Sequence, residues 1–307
     1  MIKDKIKGTL FGQAIGDALG LGTEFMTKAE VRKHYPQGLT EYSQILQDLH
    51  RQRWRKGDWT DDTDMMLCIA KAMIDDKGIK LSTIAQYFKD WFNGTPLGIG
   101  NNTFQVLSIR DYTQVPQKAA EIIWKLSRET SAANGALMRT SVVGLWKDDT
   151  EKWAAEICKL THYDPRCVGS CAIIALLIKN LVYKNQMLPL KQLIEIGDRY
   201  DNRITEYLEQ AYWCEDIHSL TLDDTSMGYT LKTLAAAVWC LFHSQSFEEG
   251  LLSVVNAGGD ADTNAAVACS LLGAKYGYSA IPTQYIDGLA EKDYLRTITN
   301  SIVNLVE

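Results

Sequence analysis

The sequence predicts an all-α protein in which residues 1–307 form one compact multi-helix domain. Three observations lead to this fold class. Apolar residues recur at helical spacing through most of the chain, with no convincing alternating segment between them. Only 6 residues are proline, whereas β-sandwiches depend on many proline and glycine turns. No linker divides the chain, so we expect one domain although the length is near that of two average domains.

The composition is that of an ordinary globular protein, with 46% hydrophobic and 23% charged residues. The net charge of −6 has the wrong sign for a protein that coats nucleic acid or an anionic membrane, so neither is an expected partner. Seven cysteines, mostly among apolar neighbours, predict reduced core thiols in a cytoplasmic protein. The longest apolar run, 167–178, ends at Lys179 and the first residues are polar, which predicts neither a membrane span nor a signal peptide.

The first predicted helix, 6–19, places Gly8, Gly12 and Gly16, and Gly20 directly after it, along one face. Each glycine inside a helix costs about 0.5–1 kcal/mol relative to alanine, so a neighbouring backbone or a ligand must press closely against this face. We expect tight helix packing to be the reason.

Further elements follow in chain order. Polar residues 36–58 predict a long loop that leads into a helix at about residue 65. The basic run 50–56 within it is expected to be solvated, with contact to RNA or an acidic partner as the minor alternative. Asp164 and Pro165 predict the N-cap and first turn of an apolar central helix. Apolar spacing predicts helices at 81–92, 116–127, 151–160, 166–183, 188–197, 202–212, 228–244, 247–256, 262–276 and 291–304, with a loop at 93–102.

Two acidic clusters, 58–64 and 258–263, each stand at the start of a predicted helix. Helix capping is the simplest interpretation, because Asp and Thr accept hydrogen bonds from backbone N–H groups there. One cap needs only one such residue, however, and several adjacent carboxylates repel one another unless a cation binds. Together the clusters predict a site for two Mg²⁺ or Mn²⁺ ions that activates water, and therefore an enzyme. A third acidic group, 223–225, is expected to be a solvated cap.

Other catalytic motifs are absent from the sequence. There is no G-x-S-x-G elbow, Walker loop, H-E-x-x-H or EF-hand pattern, and Gly98-Ile99-Gly100 lacks the third glycine of a dinucleotide fingerprint. His162, Cys167 and Cys171 lack a fourth zinc ligand at suitable spacing, so the two cysteines are interpreted as core residues.

Six motifs, in order, resemble those of the ADP-ribosylglycohydrolase family, the relatives of the dinitrogenase reductase activating enzyme. They are G-x-x-x-G-D-A-L-G from Gly12 with Glu24-Phe25 after it, Trp59–Thr63, Gly100–Thr103, Asn134–Arg139, His162–Pro165 and Gly258–Thr263. The resemblance spans nearly the whole chain. It implies an all-α fold with a central dinuclear metal cleft.

The resemblance also implies a role for each matching residue. The implied metal ligands are Thr60, Asp61, Asp62, Asp260, Asp262 and Thr263, and the implied catalytic acids are Glu24, Asp62 and Asp262. The implied substrate-binding residues are Gly98, Gly100, Asn101, Asn102, Thr103, Ser131, Asn134, Gly135 and, in the ribose pocket, His162.

The implied reaction is Mg²⁺-dependent hydrolysis of the ribosyl C1″–N bond of an ADP-ribosylated protein, with ADP-ribose as the product. Arginine is the preferred linkage, because it leaves as a neutral guanidine and needs no strong general acid. Serine and other linkages remain open. Backbone N–H groups of the glycine and asparagine loops would bind the diphosphate without a formal positive charge.

Gly98 departs from the family pattern, since several relatives carry an aspartate there. This departure keeps open an alternative in which the chain binds metal and ADP-ribose but is catalytically weak or inactive. An isoprenoid synthase is a remote rival, because its D-D-x-x-D spacing is missing.

Overall fold

A computed structural model describes residues 1–307 and contains fifteen α-helices and no β-strand, only two isolated bridges. The predicted all-α fold is confirmed. Short 3₁₀ turns connect several helices, and a π-helical turn, Asn180–Lys184, extends the eighth helix. The helices are α1 (Ile2–Gly20), α2 (Lys28–His34), α3 (Asp61–Asp76), α4 (Leu81–Asn93), α5 (Asn101–Leu107), α6 (Pro116–Leu126), α7 (Thr150–Cys158), α8 (Pro165–Lys179), α9 (Leu190–Gly197), α10 (Arg203–Trp213), α11 (Thr230–His243), α12 (Phe247–Val255), α13 (Ala261–Tyr276), α14 (Thr283–Gly288) and α15 (Lys292–Val306).

Helices α1 and α13 pack backbone against backbone at the centre of the fold. A Cβ atom on Gly12 would lie 2.2 Å from the carbonyl oxygen of Cys269, and one on Gly16 would lie 2.2 Å from that of Ala265. The glycine face of α1 is therefore the close-packing surface that the sequence predicted. This contact places Asp17 of α1 beside the N-terminus of α13 and so determines where the acidic clusters meet.

Helix α8 lies in the core, as its apolar sequence predicted. Asp164 caps it by accepting a hydrogen bond from the backbone N–H of Arg166 at 2.9 Å, and Pro165 occupies its first turn. The segment Pro165–Lys184 is long and apolar enough to span a membrane, contrary to the prediction from the apolar run 167–178. Its most apolar window is 78% buried inside the fold, as in a core helix of a globular protein.

All seven cysteines are free thiols, and six of them are buried. Their place in the core agrees with the sequence analysis. The cytoplasmic location inferred from them remains a prediction.

The predicted helix boundaries agree with the structure to within about two residues for most helices after α3. Three short elements were not predicted: α2, α5 and α14. The predicted loop 93–102 ends earlier, because Asn101 and Asn102 form the first turn of α5. Group 223–225 does cap a helix, although not one that follows it in the chain: Asp223 accepts from the backbone N–H of Lys28, the first residue of α2, at 2.7 Å. Asp224 accepts from the backbone N–H of Ser226 at 2.6 Å and pairs with Lys232 at 2.6 Å.

Candidate active site

A cleft of about 540 Å³ opens where the N-termini of α3, α5 and α13 converge. Fifteen of the sixteen residues singled out from the sequence line it. They are Glu24, Thr60, Asp61, Asp62, Gly98, Gly100, Asn101, Asn102, Thr103, Asn134, Gly135, His162, Asp260, Asp262 and Thr263. Ser131 lies outside this lining, and its hydroxyl donates to the side-chain oxygen of Asn102 at 3.3 Å. The structure thus brings together segments that are far apart in sequence.

Two glycines aim the second acidic cluster into the cleft. Gly258 and Gly259 have positive φ angles of 75° and 72°, a backbone conformation that favours glycine. Gly259 also exchanges backbone hydrogen bonds with the segment after Glu24: its N–H donates to Met26 at 2.8 Å, and its carbonyl accepts from Phe25 at 2.6 Å. These bonds hold Glu24 close to Asp260 and Asp262.

The carboxylates form two groups that are suited to hold cations. In the first group, one carboxylate oxygen from each residue lies within 4.8 Å of the others, and the residues are Asp17, Asp62 and Asp262. The second group meets the same distance limit and consists of Glu24, Asp260 and Asp262. The Oδ1 atoms of Asp62 and Asp262 are buried and have no hydrogen-bond partner in the protein. Since a buried carboxylate oxygen needs a partner, these two orphaned atoms fit a divalent cation.

Asp17 supports this site and was not singled out from the sequence. Its Oδ1 accepts from the backbone N–H of Thr60 at 2.9 Å, and its Oδ2 accepts from the N–H and hydroxyl of Thr63 at 3.0 and 2.6 Å. Asp17 therefore fixes the first turn of α3, which carries Asp61 and Asp62. Asp17 is the one charged residue in the glycine-striped part of α1, Gly8–Gly20, and this was the available signal.

Two acids of the first cluster have structural roles instead. Asp64 accepts hydrogen bonds from the indole N–H groups of Trp59 and Trp91 at 2.9 and 3.1 Å. Asp58 pairs with Arg55 at 2.9 Å. Within the cluster, Thr60 alone caps α3, and only Thr60, Asp61 and Asp62 line this cleft.

Burial raises the pKa of five aspartates in the site, Asp17, Asp61, Asp62, Asp260 and Asp262. It raises the pKa of Asp17 and Asp61 to about 7 and that of Asp260 to about 6. The pKa values of Asp62 and Asp262 are raised well above the ordinary value of 3.8, first by burial and then by repulsion from neighbouring carboxylates.

These raised pKa values make the metal-free protein sensitive to pH. A carboxyl group with a raised folded-state pKa stabilises the fold below its ordinary pKa of 3.8, and this stability is lost as pH rises through 6–7. We expect the thermal midpoint in EDTA to fall as pH rises from about 4 to 7, and to fall less in Asp262→Asn. Thermal unfolding of both proteins across this range measures the difference. If the thermal midpoints of the two proteins fell by the same amount with pH, the carboxylate cluster would not be the cause of the pH dependence.

Asn134 and Gly135 shape the wall beside Asp260. The Asn134 amide donates to Asp260 at 2.7 Å and to the hydroxyl of Thr233 at 2.9 Å, which fixes the orientation of the carboxylate. A Cβ atom on Gly135 would lie 3.0 Å from the ring of His162. A larger residue at this position would therefore crowd the His162 ring at the wall of the cleft.

His162 presents a hydrogen-bond donor to the cleft. Arg139 donates to the hydroxyl oxygen of Thr161 at 2.6 Å, and that hydroxyl lies 2.7 Å from Nδ1 of His162. The hydroxyl proton has no other acceptor, so it points at Nδ1 and leaves the ring proton on Nε2. This Nε2 is buried and has no partner in the protein. Burial, followed by the charge of Arg139, holds the pKa of His162 well below 6.5, so the ring is neutral.

The N-terminus of α5 forms the opposite wall. Asn102 donates from its side chain to the carbonyl of Thr161 at 2.9 Å, which joins this wall to the His162 segment. The N–H groups of Asn101, Asn102 and Thr103 have no acceptor in the protein, as expected for the first turn of a helix. The buried Thr103 hydroxyl is also unpartnered.

The basic run 50–56 is not simply solvated, which corrects the sequence analysis. Arg51 is buried and donates to the carbonyls of Leu21, Gly22 and Glu24, the first two at 2.9 and 3.1 Å. It thereby supports the segment that carries Glu24. His50, Arg53 and Trp54 line the cleft itself. These three cleft residues were not predicted, because nothing in a basic run shows which of its side chains face a cleft.

Fold and cleft together define an all-α protein with a carboxylate-rich active-site cleft. The sequence model of the ADP-ribosylglycohydrolase family matches residues 1–307, and the chain belongs to this family. The prediction of a glycohydrolase is therefore confirmed at the level of the enzyme class.

Relatives and a solved structure agree with this assignment. The chain is similar to an ADP-ribosylarginine hydrolase of Serratia proteamaculans, with 25% identity over 97% of this chain and 79% of the relative. It is also similar to the ADP-ribosyl-[dinitrogen reductase] glycohydrolase of Rhodospirillum rubrum, with 27% identity over 95% and 92% of the two chains. A solved structure titled ADP-ribosylglycohydrolase-related protein complex matches with a TM-score of 0.80 and 26% identity, over 100% of this chain and 99% of the other.

Proposed function

We propose that this protein is a Mg²⁺-dependent hydrolase that removes ADP-ribose from ADP-ribosylated protein by cleaving the ribosyl C1″–N bond, with arginine as the linkage. The observation that carries the proposal is the pair of orphaned carboxylate oxygens, on Asp62 and Asp262, at the base of the ligand-sized cleft. The relatives named for ADP-ribosyl substrates support the same substrate class.

The residues that would hold the ions come from the starts of α3 and α13. They are Thr60, Asp61, Asp62, Asp260, Asp262 and Thr263. Two bound Mg²⁺ or Mn²⁺ ions would supply positive charge that orients ribose hydroxyls and a water molecule. Asp17 backs these ligands through its three hydrogen bonds to the start of α3.

Glu24 is proposed as the general base. It lines the cleft, belongs to one of the two carboxylate groups, and is held by backbone contacts on both sides. Its carboxylate takes the proton of the attacking water as the oxocarbenium-like transition state forms. The leaving arginine needs no proton from the enzyme, since its guanidinium already carries one.

The remaining cleft residues suit the ADP-ribose part of the substrate. The unpaired N–H groups at the start of α5 can donate to diphosphate oxygens, and the Nε2–H of His162 can donate to a ribose oxygen. Ser131 contributes indirectly by its hydrogen bond to Asn102. A cytoplasmic location is proposed on the free cysteines alone.

Gly98 supports a second candidate function, in which metal and ADP-ribose bind without efficient turnover. A Cβ atom at this position would lie 3.2 Å from Oδ1 of Asp61, so an aspartate in relatives would add a carboxylate beside the metal ligands. Here that carboxylate is missing. The two candidate functions differ in whether bound conjugate is hydrolysed.

A panel of ADP-ribosyl conjugates tests the substrate class. We expect release of ADP-ribose from ADP-ribosyl-arginine in Mg²⁺, slower release from ADP-ribosyl-serine, and no reaction with isoprenyl diphosphates. Chromatography of the released ADP-ribose gives the rates. Faster release from the serine conjugate would overturn the choice of arginine but not the hydrolase. Tight binding of ADP-ribose without release from any conjugate would favour the second candidate function.

A further inference from the structure

We propose that His50 is a positioning residue that holds Glu24 in place for proton transfer, and that Arg53 fixes which ring nitrogen of His50 carries the proton. This inference rests on the proposed function, since it assigns Glu24 as the general base. No sequence motif pointed to His50, and the loop position at Gly98 supplies no carboxylate that would share the task.

The hydrogen bonds define the proton positions. Nδ1 of His50 lies 2.7 Å from Nη2 of Arg53, and Nε2 of His50 lies 2.6 Å from Oε2 of Glu24. A guanidinium group can only donate, so Nδ1 must accept. The ring proton is therefore on Nε2 and is donated to Glu24. A doubly protonated ring would place an N–H against the N–H of Arg53, so the neutral ring is the one that fits.

Aromatic and backbone contacts restrain this chain of hydrogen bonds, in which the His50 side chain is 29% exposed. The ring of His50 lies 5.5 Å from the rings of both Phe25 and Trp54, measured between ring centres. The guanidinium of Arg53 lies 4.4 Å from the centre of the Trp54 ring and donates to the carbonyls of His50 and Leu97 at 3.0 and 3.1 Å. Arg53 is exposed, but its ring contact and its two bonds to backbone carbonyls restrain it beside Nδ1 of His50.

In this arrangement the two carboxylate oxygens of Glu24 have different roles. Oε2 is occupied by the neutral His50 ring, which orients the carboxylate without removing its negative charge. Oε1 is left free to accept a proton from water. Because Arg53 also bonds the carbonyl of Leu97, next to Gly98, the same residue joins the base to the substrate loop.

A spectroscopic measurement tests the proton positions without turnover or metal. Long-range ¹H–¹⁵N correlation spectra of histidine-labelled protein distinguish the two neutral forms of the ring. The chain has 5 histidines, and comparison with His50→Gln assigns the His50 signals. We expect an unprotonated Nδ1 and a protonated Nε2 in the wild type. A proton on Nδ1 would overturn the inference.

A double-mutant cycle tests whether His50 acts through Glu24. We expect His50→Phe, which keeps a ring against Phe25 and Trp54, to lower kcat about tenfold with little change in KM or in Mg²⁺ dependence. Glu24→Gln should lower kcat by at least about tenfold. In the Glu24→Gln background, His50→Phe should have almost no further effect, because the group it positions is already lost.

Matched variants separate positioning from general damage. His50→Gln keeps one donor and one acceptor and should recover most of the rate. His34→Phe, at an exposed position on α2, should have the same rate as the wild type.

If the effects of His50→Phe and Glu24→Gln on kcat multiply in the double mutant, His50 does not act through Glu24. That result would contradict the inference but leave the proposed hydrolase activity unaffected. A wild type that releases no ADP-ribose from any conjugate would instead refute the proposed function, and the spectra would still decide whether His50 donates to Glu24. If His50→Phe fails to fold, His50→Gln and the spectra decide the matter.

Discussion

Asp62→Asn and Asp262→Asn should each reduce ADP-ribose release by more than about 100-fold. Loss of a residue that only supports a metal ligand already costs about 10–100-fold, and these two residues hold the orphaned oxygens themselves. Asparagine keeps the shape of the side chain but removes its charge. The loss should therefore appear without unfolding.

The same variants should change thermal stability in opposite directions with and without metal. In EDTA the midpoint should rise relative to wild type, because one buried, mutually repelling carboxylate has been removed. In Mg²⁺ the wild type should gain stability through binding of the ion to the folded state, and the variants should gain little.

Asp58→Asn is the matched control, since Asp58 belongs to the same acidic run but pairs with Arg55 outside the metal groups. It should retain activity and the stabilisation by Mg²⁺. Full activity of Asp62→Asn, or an equal loss in Asp58→Asn, would show that the orphaned oxygens do not define the reaction centre.

Gly12→Ala should destabilise the fold by about 3 kcal/mol, at the upper end for overpacked cores. Alanine favours a helix over glycine by only about 0.5–1 kcal/mol. Against this gain, the new Cβ atom would meet the Cys269 carbonyl at 2.2 Å, and a backbone group cannot rotate aside as a side chain can. Chemical denaturation of wild type and variant gives the difference in unfolding free energy.

The control for this substitution is Gly78→Ala. A Cβ atom there would have its nearest neighbours at 3.9 and 4.0 Å, and no positive φ opposes it. Gly78→Ala should therefore leave stability nearly unchanged. Unaltered stability of Gly12→Ala would mean that α1 and α13 can separate without cost, contrary to the packing described.

Local signals in the sequence were enough to predict most of the fold. Apolar periodicity marks the long helices because each buries one face or all of its surface, and the glycine face of α1 marks the close contact with α13. Helix α5 was missed because it has only seven residues and starts with two asparagines after Gly100, a composition typical of loops.

The acidic clusters and the loops were also predicted, since chemistry of this kind requires particular residue types at short spacing. The supporting residues were not. Asp17 acts through Thr60 and Thr63, which lie more than 40 positions away, and His50 reaches Glu24 across 26 positions. Such partners share no local pattern, so only the folded chain shows that they meet.

The measurement that bears most directly on the proposed function is the rate of ADP-ribose release from ADP-ribosyl-arginine, in excess Mg²⁺ and after removal of metal with EDTA. Release in Mg²⁺, its loss in EDTA and its return when Mg²⁺ is added back are the predicted results. Equal rates in Mg²⁺ and EDTA would contradict the assignment of the carboxylate groups as a metal site on which hydrolysis depends.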